Sequence, residues 1–297
     1  MVQKRAGKTI RAVAAPSPRV LRRIAALRQA VARWRRAGES LGLVPTMGAL
    51  HEGHLALVRQ ARKDCDRVIT TIFVNPAQFN RKDDLAGYPR DEAGDLAKLA
   101  ALDVDLVFAP PLEEIYPEGY QTRVSVPGLT DCLCGLARPG HMEGVATVVT
   151  KLLLQSLPDR AYFGEKDYQQ LVMIRRMAHD LDIPVEIVGV PTVREPGGLA
   201  LSSRNFLLSD DQTARAPTLY RVLSALAQEL ADGRAPAEPA LARGRAEILA
   251  AGFDSLDYLD LRDGETLQAL ERAAPGTRLF VAAWLGEVRL IDNLAIG

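Results

Sequence analysis

Residues 45–54 read PTMGALHEGH. Before them lies a short apolar run, 41–45, and after them apolar residues recur at helical spacing over 55–63. The stretch is therefore a strand-to-helix turn, flexible at Gly48 and Gly53, and it carries two of the four histidines in 297 residues. Three readings compete for this pair. A zinc site of the H-E-x-x-H kind needs histidines at i and i+4, whereas HEGH places His51 and His54 at i and i+3. A structural reading makes one ring a helix cap and the other a packed core residue. The third is phosphate binding: glycines let backbone approach a ligand, the free N–H groups of a helix start attract anions, and each imidazole adds a donor. The third reading best explains why both rings flank a glycine at such a turn.

Working outward, strand-like apolar runs at 41–45, 68–74, 104–109, 161–163 and 185–190 alternate with helical patterns near 55–63, 92–101, 144–156 and 168–181. Near-continuous apolar strands separated by helices indicate a parallel sheet covered on both faces. The fold class expected is a doubly wound, Rossmann-like α/β domain whose ligands bind outside the carboxyl ends of the strands. From about Val193 the texture changes. REPGGLA breaks the pattern, amphipathic stretches follow at 210–231 and 237–250, and strand candidates at 258–262, 278–285 and 288–292 close the chain. Three segments are expected: a basic tail over 1–18, the Rossmann-like domain over 19–192, and a smaller α+β lid domain over 193–297, hinged near 190–200.

Composition is that of a soluble globular protein, 47% apolar and 25% charged, with 37 basic and 37 acidic residues. So balanced a chain has no global field to draw it to nucleic acid or to a membrane surface. The exception is local, since residues 1–36 hold eleven Lys or Arg and no acid. Leu21, Ile24, Leu27, Val31 and Trp34 predict a helix with a solvated basic face in the second half of that stretch. Cys65, Cys132 and Cys134 are odd in number and lack C-x-x-C spacing, which points to reduced thiols and a cytoplasmic setting.

Several further motifs stand at fixed intervals. VPTMGALHEGH, IFVNPAQF, YPRD, RPGH, FGEKDYQQL and GLALSSRN follow one another, and VAAWLG…RLIDN closes the chain. In order and spacing they resemble the pantothenate synthetase family of the H-x-G-H nucleotidyltransferase superfamily, over about residues 19–294. The resemblance implies an ATP-dependent ligase in which pantoate attacks the α-phosphate to give pantoyl adenylate and pyrophosphate, after which β-alanine attacks the acyl carbonyl and AMP departs.

It also implies residue roles. Met47, Gly48, Ala49, Leu50, His51, Glu52, Gly53 and His54 line the ATP site, His54 being the best candidate for proton donor or oxyanion stabiliser. Gly164, Glu165, Lys166 and Asp167 form a second ATP-binding turn, Lys166 bringing positive charge to the α-phosphate. Val193 contacts the adenine side, and Leu201, Ser202, Ser203 and Arg204 hold the β- and γ-phosphates. Gln78 and Gln170 bind pantoate, an amide offering donor and acceptor without charge. Mg²⁺ accompanies ATP, with Asp95 in the position of an acidic metal contact; Gly94 stands where some members carry a second acid. Cys134 and Met142 replace the usual Glu and Phe, while Arg138 and His141 remain as residues able to meet an anion. A homodimer is implied as well.

Two other functions fit part of the pattern. One is a nucleotidyltransferase that adenylates a different acid, separated by asking whether AMP release depends on both pantoate and β-alanine. The other is a non-catalytic RNA binder using the basic N-terminus, which the neutral overall charge disfavours.

Overall fold

The computed structural model describes residues 17–297, so the expected basic tail lies outside the described residues up to position 16. In chain order the first part contains β1 (Arg19–Leu21), α1 (Ile24–Arg36), β2 (Leu41–Thr46), α2 (Glu52–Asp64), β3 (Arg67–Ile72), α3 (Glu92–Ala100), β4 (Leu106–Phe108), α4 (His141–Ser156), β5 (Arg160–Gly164), α5 (Tyr168–Asp180) and β6 (Glu186–Val190), besides short helical turns. The six strands form one parallel sheet in the order β1-β4-β3-β2-β5-β6. The chain steps from β2 to β3 and on to β4 in one direction, then returns to place β5 and β6 on the other side of β2. The strand order therefore reverses between β2 and β5, and that crevice is where such a sheet receives ligands.

Helices cover both faces. On one face Leu27, Ala30 and Val31 of α1 pack with Ala146, Val149 and Leu153 of α4 and Leu171, Met173 and Ile174 of α5; on the other, Leu55, Val58 and Ala61 of α2 pack with Leu99 of α3 and Val107. Burial on two sides explains why these strands read as unbroken apolar runs rather than alternating ones.

The second part contains α6 (Thr218–Leu230), α7 (Ala237–Ala250), β7 (Ser255–Asp263), β8 (Thr277–Leu285) and β9 (Val288–Ala295). These three strands form an antiparallel sheet in sequential order. One face packs on α6 and α7 through Leu259, Leu279, Val281 and Leu290. On the opposite face Phe280 joins the core of the parallel sheet.

Two expectations change. The strand β1 was not foreseen, because Leu21 fits the periodicity of the helix that follows; it instead forms the edge of the sheet, paired with β4. The amphipathic stretch 210–231 divides into Asp210–Arg215 and α6, since Pro217 can open a helix but cannot continue one. Within the segment expected to be a hinge, 190–200, the chain is pinned at one point. Arg194 and Ala200 form a bridge, and the Arg194 guanidinium makes a two-pronged ion pair with buried Asp292 of β9 at 2.6 and 2.9 Å.

Candidate active site

The histidine turn is held in shape from behind. Gly48 has φ +85° and Ala49 has φ 51°, a left-handed conformation that costs an alanine roughly 1 kcal/mol or more. Asp95 of α3 offsets this: its two carboxylate oxygens accept the Ala49 and Leu50 N–H groups at 2.8 and 2.7 Å. Lys98, one turn on, donates to the Leu50 carbonyl at 2.7 Å.

At the start of α2 the two imidazoles cap the helix. His51 Nδ1 accepts from Gly53 N at 3.1 Å, and His54 Nδ1 accepts from His51 N at 3.4 Å. A ring nitrogen that accepts carries no proton, so each neutral ring bears its hydrogen on Nε2, leaving that group free to donate into the cleft both rings line. The ring centroids are 4.1 Å apart. Burial, and then Lys166, pulls the His51 pKa down to about 4; burial, and then His51, pulls His54 to about 3. Both are neutral donors at pH 7. Gly53 is required here, because a Cβ would lie 2.8 Å from His51 Cε1.

Across the crevice, β5 ends at Gly164 and a single helical turn, Glu165–Asp167, leads into α5. Lys166 lines the cleft, its ammonium 3.8 Å from Asp167 Oδ2. Asn293 of β9 holds this turn by donating to the Glu165 and Lys166 carbonyls, each at 2.9 Å. Two neighbouring glutamines both reach this cleft, and only the first is also bonded to the 129–134 loop. Gln169 is buried and ties down that loop through Leu129, Cys132 and Cys134, while Gln170 lines the cleft without those bonds.

After β3, Asn75 caps the turn Pro76–Gln78 and donates to the Gln78 side-chain oxygen at 2.9 Å. Helix α4 approaches so closely that a Cβ on Gly144 would lie 2.3 Å from the Ala77 carbonyl oxygen. On the far wall Ser203 donates to the Ala49 carbonyl at 3.1 Å, so the LSSRN segment is tied to the histidine turn. Ser202 accepts from Arg204 N, and Arg204 reaches Asp84 at 3.1 Å.

The resulting cleft measures about 580 Å³, in the range of a small-molecule site. It brings together Met47, His51, Gly53, His54, Gln78, Lys166, Asp167, Gln170, Val193 and residues 201–204. Other expected members lie outside its lining. Leu50 is core, Glu52 faces outward against Arg59, and Glu165 turns toward Arg278. Gly48 and Ala49 shape the turn, and Gly164 ends β5. Asp95, expected as an acidic metal contact, lies outside the lining of this cleft: each of its oxygens accepts a backbone N–H, and the buried side chain supports the turn from behind. Among the described residues no cluster of three or more His, Cys, Asp or Glu is placed to hold a metal ion. Asn75, Lys98, Asp292 and Asn293 went unforeseen as site residues. IFVNPAQF holds Asn75 and RLIDN holds Asp292 and Asn293, but both named a motif without a contact.

With this geometry in place, comparison with known proteins is decisive. The family model described as pantoate-beta-alanine ligase matches residues 19–295. The chain belongs to the pantoate–β-alanine ligase family. Relatives in that family include the pantothenate synthetases of Roseobacter denitrificans, 56% identical over 93% of this chain and 97% of theirs, and of Cereibacter sphaeroides, 57% identical over 94% and 100%. The crystal structure of the pantothenate synthetase from Thermus thermophilus superposes with a TM-score of 0.88 at 50% identity, covering 94% of this chain and 99% of that one. A pantoate-beta-alanine ligase from Francisella tularensis, solved with Beta-gamma ATP and Beta-alanine, gives a TM-score of 0.80 at 36% identity over 94% and 98%. Membership of the ligase family thus accounts for the fold.

Proposed function

We propose that the protein condenses pantoate with β-alanine at the expense of ATP. The observation that carries this reading is the meeting, at the point where strand order reverses, of two neutral Nε2–H donors after β2 and one ammonium after β5, opposite the amides Gln78 and Gln170. In the first step a pantoate carboxylate oxygen attacks the α-phosphorus, a P–O bond forms, and the bond to the β-phosphate oxygen breaks with its electron pair leaving on pyrophosphate. In the second, the β-alanine nitrogen attacks the acyl carbonyl and gives up a proton, and AMP leaves. No protein nucleophile is needed, so the chain contributes placement and charge stabilisation.

Lys166 offsets charge on the α-phosphoryl oxygens. His51 and His54 act as oxyanion donors, a role their depressed pKa values suit better than that of imidazolium acids. Arg204 and Ser202 take the outer phosphates, Arg being able to serve several oxygens at once. Gln78 and Gln170 orient pantoate while leaving its carboxylate nucleophilic. Residues 258–293 of the antiparallel sheet wall one side and help keep water from the adenylate. Mg²⁺ would come bound to the triphosphate and water, since the residues present do not form a cage for it, and no step is routed through it.

The boundary near 192, with the later residues as a smaller lid, belongs to this proposal, as do homodimeric assembly and a cytoplasmic setting. The last is supported by three unpaired cysteines. Among the described residues no helix is long and apolar enough to cross a membrane. The test is AMP release from ATP. It should require both pantoate and β-alanine and should fall by about 10²-fold in His54→Ala; dependence on a different acid would reject the assignment.

A further inference from the structure

Sequence alone offered Arg138 and His141 as residues able to meet an anion directly. Their contacts give them another task. His141 Nδ1 lies 2.8 Å from the Gln78 carbonyl oxygen, and its Nε2 lies 3.2 Å from Arg138 Nη1. A guanidinium only donates and a carbonyl only accepts, so both contacts demand one form of the ring: neutral, with its proton on Nδ1. Burial, and then the charge of Arg138, lowers the His141 pKa to about 3, which keeps that form in place at neutral pH. Arg138 Nη2 in turn lies 3.8 Å from Asp84 Oδ2, and the same oxygen receives Arg204 Nη2 at 3.1 Å. An unbroken polar chain thus runs Gln78, His141, Arg138, Asp84, Arg204, drawn from separate segments of the sequence and crossing the cleft.

Its two ends are the groups that face different substrates in the function proposed above, on which this inference rests. We propose that His141, Arg138 and Asp84 are positioning residues that couple pantoate binding at Gln78 to triphosphate binding at Arg204. Asp84 is the carboxylate that both arginines share. Without its charge Arg138 loses an anchor, the histidine it steadies is free to turn, and the Gln78 carbonyl loses the donor that fixes it. In the other direction, a triphosphate that draws Arg204 away leaves Asp84 to Arg138 alone and tightens the remaining chain. Coupling of this kind is reciprocal in binding free energy.

The experiment measures, by calorimetry, dissociation constants of the full chain for pantoate and for a non-hydrolysable ATP analogue. Asp84→Asn is nearly isosteric and makes no contact with Gln78, yet it should weaken pantoate about fivefold, within the usual range of coupling energies. In a His141→Ala background, where the chain is already cut, adding Asp84→Asn should change pantoate affinity by less than about twofold. His141→Asn, whose amide has both a donor and an acceptor, should restore most of the wild-type value. An unchanged pantoate constant in Asp84→Asn, or an equal increment with and without His141, overturns the coupling while leaving the ligase assignment intact. A wild-type chain that binds neither ligand overturns both.

Discussion

The parallel sheet delivers its cleft residues from the tips of its strands, His51 and His54 after β2 and Lys166 after β5, whereas the antiparallel sheet works from along β9, where Asp292 and Asn293 grip Arg194 and the Lys166 turn. Both sets line the cleft, but only the second bonds across to other segments, the Arg194 side chain and the backbone of the Lys166 turn, and so holds the walls together. The proposed chemistry and its scaffold are thus divided between two sheets that share the apolar contact around Phe280. Catalytic geometry in the larger part depends on residues far along the chain, Asn293 lying 127 positions beyond Lys166.

That division can be attacked from either side. The largest effect is expected from Lys166→Ala, which removes the ammonium at the α-phosphate and should lower kcat by about 10³-fold, as loss of one transition-state donor does; steady-state AMP release checks it, and a loss confined to KM would place Lys166 outside the chemistry. Next is Asp292→Ala. It leaves the Arg194 guanidinium without its carboxylate partner in a largely buried setting and should cost about 3 kcal/mol of unfolding free energy, read from denaturant titration. Asn293→Ala should be milder, with kcat down about tenfold through a displaced Lys166 turn and little change in stability. If it cost as much stability as Asp292→Ala, the two neighbours would share one structural job and the contrast drawn above would fail.

The effect of acid is smaller still. The pKa values of His51, His54 and His141 lie below the ordinary histidine value near 6.5 in the folded chain. Between 6.5 and about 4 the unfolded state therefore binds protons that the folded state refuses, and stability declines as pH falls through that window. His141→Asn, which cannot titrate there, should flatten the slope in denaturation midpoints against pH. Smallest of all, removing residues 1–16 should change turnover by less than about twofold, since the described residues from Pro45 onward already line the cleft; a large loss would give the basic segment a part in the ligase reaction.

Much of the parallel sheet was legible because each inner strand is buried on both faces and prints that burial as a run of apolar letters. The strand β1 escaped because three residues are too few to show a period of their own and its last leucine agrees with the helix beyond. The site was legible where a residue's chemistry and its place at a strand end coincide, as for Lys166. It was opaque where side chains serve the backbone. Nothing in the letters distinguishes Gln169, whose amide donates to the Leu129 and Cys132 carbonyls and accepts from Cys134 N, from Gln170, which lines the same cleft without those bonds. Cys134 shows the same limit: it reads as a small apolar residue, yet its sulfur lies 3.1 Å from the Tyr258 hydroxyl and 3.5 Å from Arg289 Nη1, joining a short helix to the antiparallel sheet.

The carboxylate beneath Ala49 and Leu50 bears on how mutational surveys of this enzyme are to be interpreted. Replacing Asp95 with alanine would let the histidine turn relax, and activity would collapse much as it does when a magnesium ligand is deleted. Added Mg²⁺ would rescue a lost ligand but not a slackened loop, so titrating the ion against the variant separates the two diagnoses where a single activity measurement confuses them.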